Sequence, residues 1–307
     1  MPITFVAYHY VRDFKGSRYP DIKGLTTEEF AAQVGWLSHR YRFLTWRELV
    51  ALRSGEVEAA PDNAAVLTFD DGYIDHFHTV FPMLHSAGIQ GMFFAPAKAI
   101  LERRVLDVNK IHLILSSVPD KCELIEGLKD AIGLASFEEY WEQFGKPSRF
   151  DTSEVMFIKR VLQRGLPQPA RAHVLDEMFH RFVAVDEATL ANELYLTLDQ
   201  LRMMVRCGMY VGSHGYEHRW MDSISPAEQE FEIEHSLEFL RAVGAPTADW
   251  VMCYPHGATS DSLVSLLERH QCSFALTTRV GQVANLRSDP YRLPRMDTND
   301  FPKANSV

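Results

Sequence analysis

Two hydrophobic periods alternate along the chain. Short apolar runs rich in β-branched and aromatic residues stand at 3–11 (ITFVAYHYV), 65–69 (AVLTF), 91–96 (GMFFAP), 209–214 (MYVGSH), 250–255 (WVMCYP) and 274–278 (FALTT). An extended RLPRMD closes the series at 292–297. Runs of this kind read as buried strands. Between them the pattern turns helical, at 26–41, 45–55, near 76–87, 197–208, 225–244 and 260–270. Thr26 with Glu29 and Thr197 with Gln200 have capping-box spacing, and Ser225 precedes Pro226 and Glu228 in the same way. Gly55 stops the second helix. Repeated strand–helix units predict a mostly parallel sheet or barrel, with its chemistry where strands end and loops begin.

The section from about 105 to 195 breaks this rhythm. It reads mainly as helices, among them FEEYWEQFG and ARAHVLDEMFHRFV, separated by breakers at Gly145, Pro147, Gly165, Pro167 and Pro169. A length of 307 residues suits one large α/β domain with an insertion. The expectation is therefore a single domain over 1–307, a distorted TIM-type (β/α) barrel. A mainly helical insertion at about 105–195 is expected to pack beside the barrel and complete the substrate groove.

Charge narrows the partners. A formal net charge of −10 argues against nucleic acid and against electrostatic docking to a membrane. No run approaches the roughly eighteen apolar residues that a membrane span requires. The first residues, MPITFVAYHYVRDF, lack a basic leader region and read as the first strand, so the expected location is the cytoplasm, the alternative being a leader already removed. Cys122, Cys207, Cys253 and Cys272 show no paired spacing, which fits reduced thiols.

Two stretches carry chemistry. AVLTFDDG ends a buried strand on adjacent acids, Asp70 and Asp71, where mutual repulsion costs stability and a helix cap needs only one of them. GSHGYEHRW places His214 and His218 at the exit of another strand. Two imidazoles and a carboxylate make a common open metal site. The Gly-Tyr between these histidines sets the motif apart from the helical HExxH of zinc proteases, so Glu217 does not occupy that motif's base position.

LTFDDG, SHGYEH and the later CYPHG resemble, in order, three motifs of the polysaccharide deacetylases, the NodB-homology or carbohydrate esterase 4 group. The resemblance covers about 60–100 and 200–295. It implies a barrel of the NodB-homology type, with Asp70 as general base and Asp71, His214 and His218 as metal ligands. The third motif departs from the family's Arg-Pro-Pro-Tyr-Gly: Cys253 stands at the arginine position and His256 at the tyrosine position. The His256 backbone N–H retains the ability to support an oxyanion. Arg295, in LPRMD, is the candidate partner for Asp70 in place of the missing arginine. The family's C-terminal leucine-x-histidine is also absent. VAYHYV instead resembles the permuted arrangement of the poly-N-acetylglucosamine deacetylases, which implies that His9 is the general acid.

His76 and His78 read as helix-surface residues or as supports behind the ligands, and His112 as a packed core histidine. Tyr216 and Trp220 suit either stacking on a sugar or core packing. The expected activity is metal-dependent hydrolysis of an N-acetyl amide on an amino sugar of a poly- or oligosaccharide. Zinc is the expected metal, and cobalt, nickel or iron also suit the ligands. Three alternatives stand beside this one: a small or nucleotide-linked substrate, a non-sugar amide or cyclic ureide, and a carbohydrate-binding barrel without catalysis.

Overall fold

Seven parallel strands close into a ring in the computed structural model, which describes residues 2–303. The strands are β1 (Ile3–Tyr8), β2 (Arg42–Phe43), β3 (Ala64–Asp70), β4 (Gly91–Ala95), β5 (Tyr210–Ser213), β6 (Trp250–Cys253), β7 (Cys272–Val280) and β8 (Leu293–Asp297). β3 to β8 pair in chain order, and β1 closes the ring between β8 and β3. The short β2 joins only the first two residues of β3. This is a distorted (β/α) barrel, as the alternation of strands and helices predicts.

The interior follows from the two-residue period of the strands. Ile3 and Phe5, Ala64 and Val66, Met92 and Phe94, Tyr210, Val251 and Cys253, Phe274 and Leu276, and Leu293 form one buried cluster to which every ring strand contributes. Leu44, Leu49, Leu52, Val283 and Leu286 pack on the same cluster. Continuing that parity along β3 carries Thr68 and Asp70 onto the lumen face, and along β8 it carries Arg295 there. The apolar cluster ends where these polar residues begin, toward the C-terminal ends of the strands.

Helices α1 (Thr27–Ser38), α2 (Trp46–Ser54), α3 (Phe81–Ser86) and α4 (Ala97–Leu101) belong to the first half of the barrel chain. The middle section holds α5 (Asp107–Ser117), α6 (Lys121–Ile132), α7 (Phe137–Phe144), α8 (Ser153–Arg160), α9 (Ala170–Phe182) and α10 (Glu187–Leu194). The barrel chain then continues through α11 (Leu198–Arg206), α12 (Pro226–Val243) and α13 (Asp261–Arg269). Reciprocal capping boxes open α1, α2, α11 and α12 at Thr26, Thr45, Thr197 and Ser225.

Two expected elements differ in the structure. The helix near 76–87 is a wide π-type turn at His76–Val80 followed by α3, with the Phe81 N–H donating to the His76 carbonyl. Pro82, in the first turn of α3, has no N–H to return to the preceding turn. The first strand ends at Tyr8 rather than 11, because the Val11 N–H leaves the sheet and donates to the Asp75 carboxylate at 3.2 Å.

The chain divides into two compact units. One comprises the residues up to Asp13, Gly24–Arg104 and the chain from Ala191, and contains the barrel. The other comprises Phe14–Lys23 and Val105–Leu190. Its core includes Ile111, Ile114, Leu124, Leu128, Phe157, Leu162 and Phe179. The buried Lys110 ammonium is neutralised there by Asp176 at 2.7 Å and Glu187 at 3.6 Å. His112 is half-buried rather than a core residue. All four cysteines are free thiols, and no helix among the described residues is long and apolar enough to cross a membrane.

Candidate metal and acid–base centre

The two adjacent acids point different ways because the backbone turns between them. Asp70 closes β3 with its carboxylate in the lumen, whereas Asp71 adopts a left-handed φ of 71° and Gly72 one of 66°. A Cβ on Gly72 would lie 2.8 Å from that of Ala95, so this turn against β4 requires glycine. The strained residue and its glycine separate two carboxylates that would otherwise repel at close range.

Asp70 meets Arg295 in a bidentate pair, Nη1 to Oδ1 at 3.0 Å and Nη2 to Oδ2 at 2.7 Å, with both side chains buried. The remaining guanidinium donors are also used: Nε donates to the Thr277 carbonyl at 3.0 Å and Nη1 to the Thr68 hydroxyl at 3.1 Å. Burial alone would push the Asp70 carboxyl up, but Arg295, with His214 and His9, brings it down to about 2. Cys253 Sγ lies 3.5 Å from Asp70 Oδ1. Burial raises that thiol's pKa, so it remains a donor to the carboxylate. Nε2 of the half-exposed His9 is 3.8 Å from Asp70 Oδ2.

Asp71 faces the two histidines. Its Oδ1 is 3.4 Å from His214 Nε2 and 3.2 Å from His218 Nε2, and the Tyr73 hydroxyl donates to Oδ2 at 2.7 Å. Burial works against ionisation of Asp71, yet the bonds from His214 and His218 hold its carboxyl well below the usual carboxylate range. Tyr73 is itself buried, which raises its phenol and keeps the proton available for Asp71. His214 Nδ1 is 2.7 Å from the Cys253 carbonyl, which can only accept, so Nδ1 carries a proton. In the neutral ring the Nε2 lone pair then faces the lone pairs of Asp71 Oδ1, an arrangement that needs a shared proton or a cation. The three ligand atoms lie within 4.8 Å of one another. This donor set, with the outer bonds from His214 to a carbonyl and from Tyr73 to the carboxylate, fits a divalent cation.

His256 has a left-handed φ of 57° and lies beside the ligand pair. Its ring centroid is 4.7 Å from that of His218, and Trp220 stacks on it at 4.3 Å with an 8° interplanar angle. Tyr216 reaches Glu102 at 2.5 Å through its hydroxyl. His78 is exposed, whereas His76 is fully buried rather than on a helix surface. His76 Nε2 donates to the His9 carbonyl at 2.9 Å, while Asp75 takes the Val11 N–H and Arg12 Nε at 2.7 Å. The chain immediately after the acid pair thus fixes the segment that carries His9.

The structure therefore brings Asp70, Arg295 and His9 together, and sets Asp71, His214, His218 and His256 next to them. Sequence reasoning missed Thr68, Tyr73, Asp75 and the Cys253 thiol. Strand parity with Asp70 was available as a sign for Thr68. Tyr73 bonds locally, to the acid two positions before it, whereas Asp75 and the Cys253 thiol depend on partners remote in sequence.

The profile of the polysaccharide deacetylase family matches residues 170–275, a segment that contains His214, His218 and the Cys253–Gly257 turn but not Asp70 or Asp71. The Bacillus subtilis (strain 168) protein YxkH, provisionally named a polysaccharide deacetylase, is 27% identical over 99 residues. That match spans 32% of this chain and 33% of the relative. Among solved structures, IcaB from Ammonifex degensii superposes with a TM-score of 0.58 at 18% identity, covering 97% of this chain and 93% of that one. The Streptococcus pyogenes deacetylase PplD, solved in complex with acetate, gives 0.57 at 17% identity, with coverage of 97% and 92%. The BpsB deacetylase domain from Bordetella bronchiseptica gives 0.54 at 14%, covering 97% of each chain. At these identities the structural likeness concerns the fold. The chain is therefore similar to polysaccharide deacetylases over residues 170–275 and shares the fold of the solved deacetylase structures.

Proposed function

We propose that the protein removes the N-acetyl group from an amino sugar in a polysaccharide or oligosaccharide, with a divalent metal held by Asp71, His214 and His218. The observation that carries this reading is the convergence of those three ligand atoms beside the buried Asp70–Arg295 pair. Zinc is the metal we assign from one carboxylate and two imidazoles. When bound, a divalent cation supplies Lewis-acid polarisation of the amide carbonyl and makes water a better nucleophile near neutral pH.

The chain's own residues supply the remainder. Asp70, held ionised by Arg295, accepts a proton from the attacking water. The His256 backbone N–H donates to the oxygen that gains charge as the amide carbon becomes tetrahedral. As the C–N bond breaks, His9 delivers a proton to the departing nitrogen, leaving acetate and a free amine. The half-exposed position of His9 at the mouth of β1 supports that role, because the acid must reach the sugar side of the amide. We read the middle section as an insertion into a single deacetylase barrel, since the barrel chain resumes in register with β4 at β5.

The test is acetate release from chitooligosaccharides and from UDP-N-acetylglucosamine, repeated after chelation and return of zinc. Release that is lost on chelation and restored by zinc supports the proposal, and the preferred substrate separates polymer from precursor. Metal-loaded protein that is silent on both substrates redirects the assignment to a non-sugar amide. Failure to load any divalent metal favours a binding barrel.

A further inference from the structure

The loop between the two histidines is short and non-helical, yet its three N–H groups and two of its carbonyls are hydrogen-bonded. The Gly215 carbonyl accepts from Ala97 N at 3.2 Å and the Tyr216 carbonyl from Lys98 N at 2.9 Å. The Gly215 N–H donates to the Ser213 hydroxyl at 3.2 Å. The Tyr216 and Glu217 N–H groups both turn to one side chain, the carboxylate of Glu232 on α12, at 2.7 and 3.1 Å to Oε2. Glu232 is fully buried, and nothing in the chemistry described above uses it. A buried carboxylate costs free energy unless it is bonded, and the bonds that offset this cost for Glu232 come from the loop between the histidines. Gly215, at φ +73°, admits the contact, since a Cβ would lie 2.9 Å from Oε2.

We propose that Glu232 is a positioning residue for the metal centre, an inference that rests on reading His214 and His218 as ligands. The carboxylate grips the backbone midway between them and holds the loop in the shape that turns both imidazoles toward Asp71 before any ion arrives. Bonds of ionised acceptors to N–H groups are stronger than neutral ones, so one side chain is enough to fix two consecutive peptide groups. Groups behind metal ligands commonly tune affinity by about 10- to 100-fold. Here the support acts on the ligands through the main chain rather than through a ring nitrogen.

The experiment is a Co2+ titration of the metal-free full chain, followed by visible absorption, for the parent, Glu232→Gln and Ser236→Ala. Ser236 is buried one turn further along α12, and its hydroxyl donates to the helix backbone, to the Glu232 carbonyl at 2.7 Å. Glu232→Gln removes the charge and one acceptor oxygen, and is expected to weaken Co2+ affinity about 10- to 100-fold and to alter the absorption band. Ser236→Ala is expected to lower thermal stability with Co2+ affinity intact. Parent-like affinity in Glu232→Gln, or an equal loss in Ser236→Ala, overturns the inference. Should Glu232→Gln fail to fold, hydrogen exchange on the metal-free parent decides: protected Tyr216 and Glu217 amides support the clamp, and exchange at the rate of an open loop overturns it. A parent that binds no Co2+ fails the metal reading itself and this inference with it, whereas a binding parent with an indifferent Glu232→Gln fails the inference alone.

Discussion

Arg295 and Asp70 lie 225 positions apart in sequence and meet in the barrel lumen through two parallel N–H···O bonds, with neither side chain open to water. The family motif would draw the arginine from the strand that here ends at Cys253. In this chain the thiol of Cys253 touches the same carboxylate, and its small size leaves room for a guanidinium arriving from β8. The guanidinium that holds this carboxylate comes from β8, across the ring from β3 through β1.

Breaking that pair strands a charge. Arg295→Met is expected to destabilise the protein by about 3–5 kcal/mol, because Asp70 would remain buried without its cation. Chemical denaturation of the metal-free protein near neutral pH measures this. A loss small enough to match an exposed ion pair would show that Asp70 has another counter-charge.

The same pair sets an acid dependence. Asp70 is held at about 2, below the ordinary carboxylate value of 3.8, so its contribution is complete above that ordinary value and disappears as pH falls toward 2. The amount at stake is about 2 kcal/mol. Parent and Asp70→Asn, both metal-free, are therefore expected to differ in stability at pH 5 and to converge near pH 2. A gap that stays constant over this range contradicts the assignment.

Substitution of the two acids is expected to separate their roles. Asp70→Asn should abolish acetate release with metal content near that of the parent, whereas Asp71→Asn should lose both. Metal analysis after zinc loading and gel filtration, alongside the acetate assay, makes the comparison. Equal metal loss in the two variants would end the proposed division of labour.

His9 should matter in proportion to the leaving group. His9→Gln is expected to lower turnover of an unactivated N-acetyl sugar by about a hundredfold to ten-thousandfold. Hydrolysis of 4-nitrophenyl acetate, whose leaving group needs no proton, should fall far less. The side chain is half-exposed, so the melting temperature is expected to stay near that of the parent. Equal losses on both substrates would assign His9 a role other than proton donation.

The local chemistry of the chain determined its elements. The capping pairs at Thr26, Thr197 and Ser225 start helices where their spacing predicts, because a cap is satisfied within one turn and needs no distant partner. The apolar runs likewise mark the strands, and the adjacency of Asp70 to Asp71 and the spacing of His214 to His218 marked the candidate centre. Tertiary structure decided the remainder. The period of a strand leaves open which of its faces becomes a lumen, and ring closure turned Thr68, Asp70 and Arg295 inward together. For His76 the sequence leaves a helix surface and a supporting position both open until β1 lies alongside and offers the His9 carbonyl. Glu232 reads as one more acid in a helix rich in them until α12 packs against β5 and the loop beyond it. Such partners are remote in sequence, and only the closed barrel makes their bonds available.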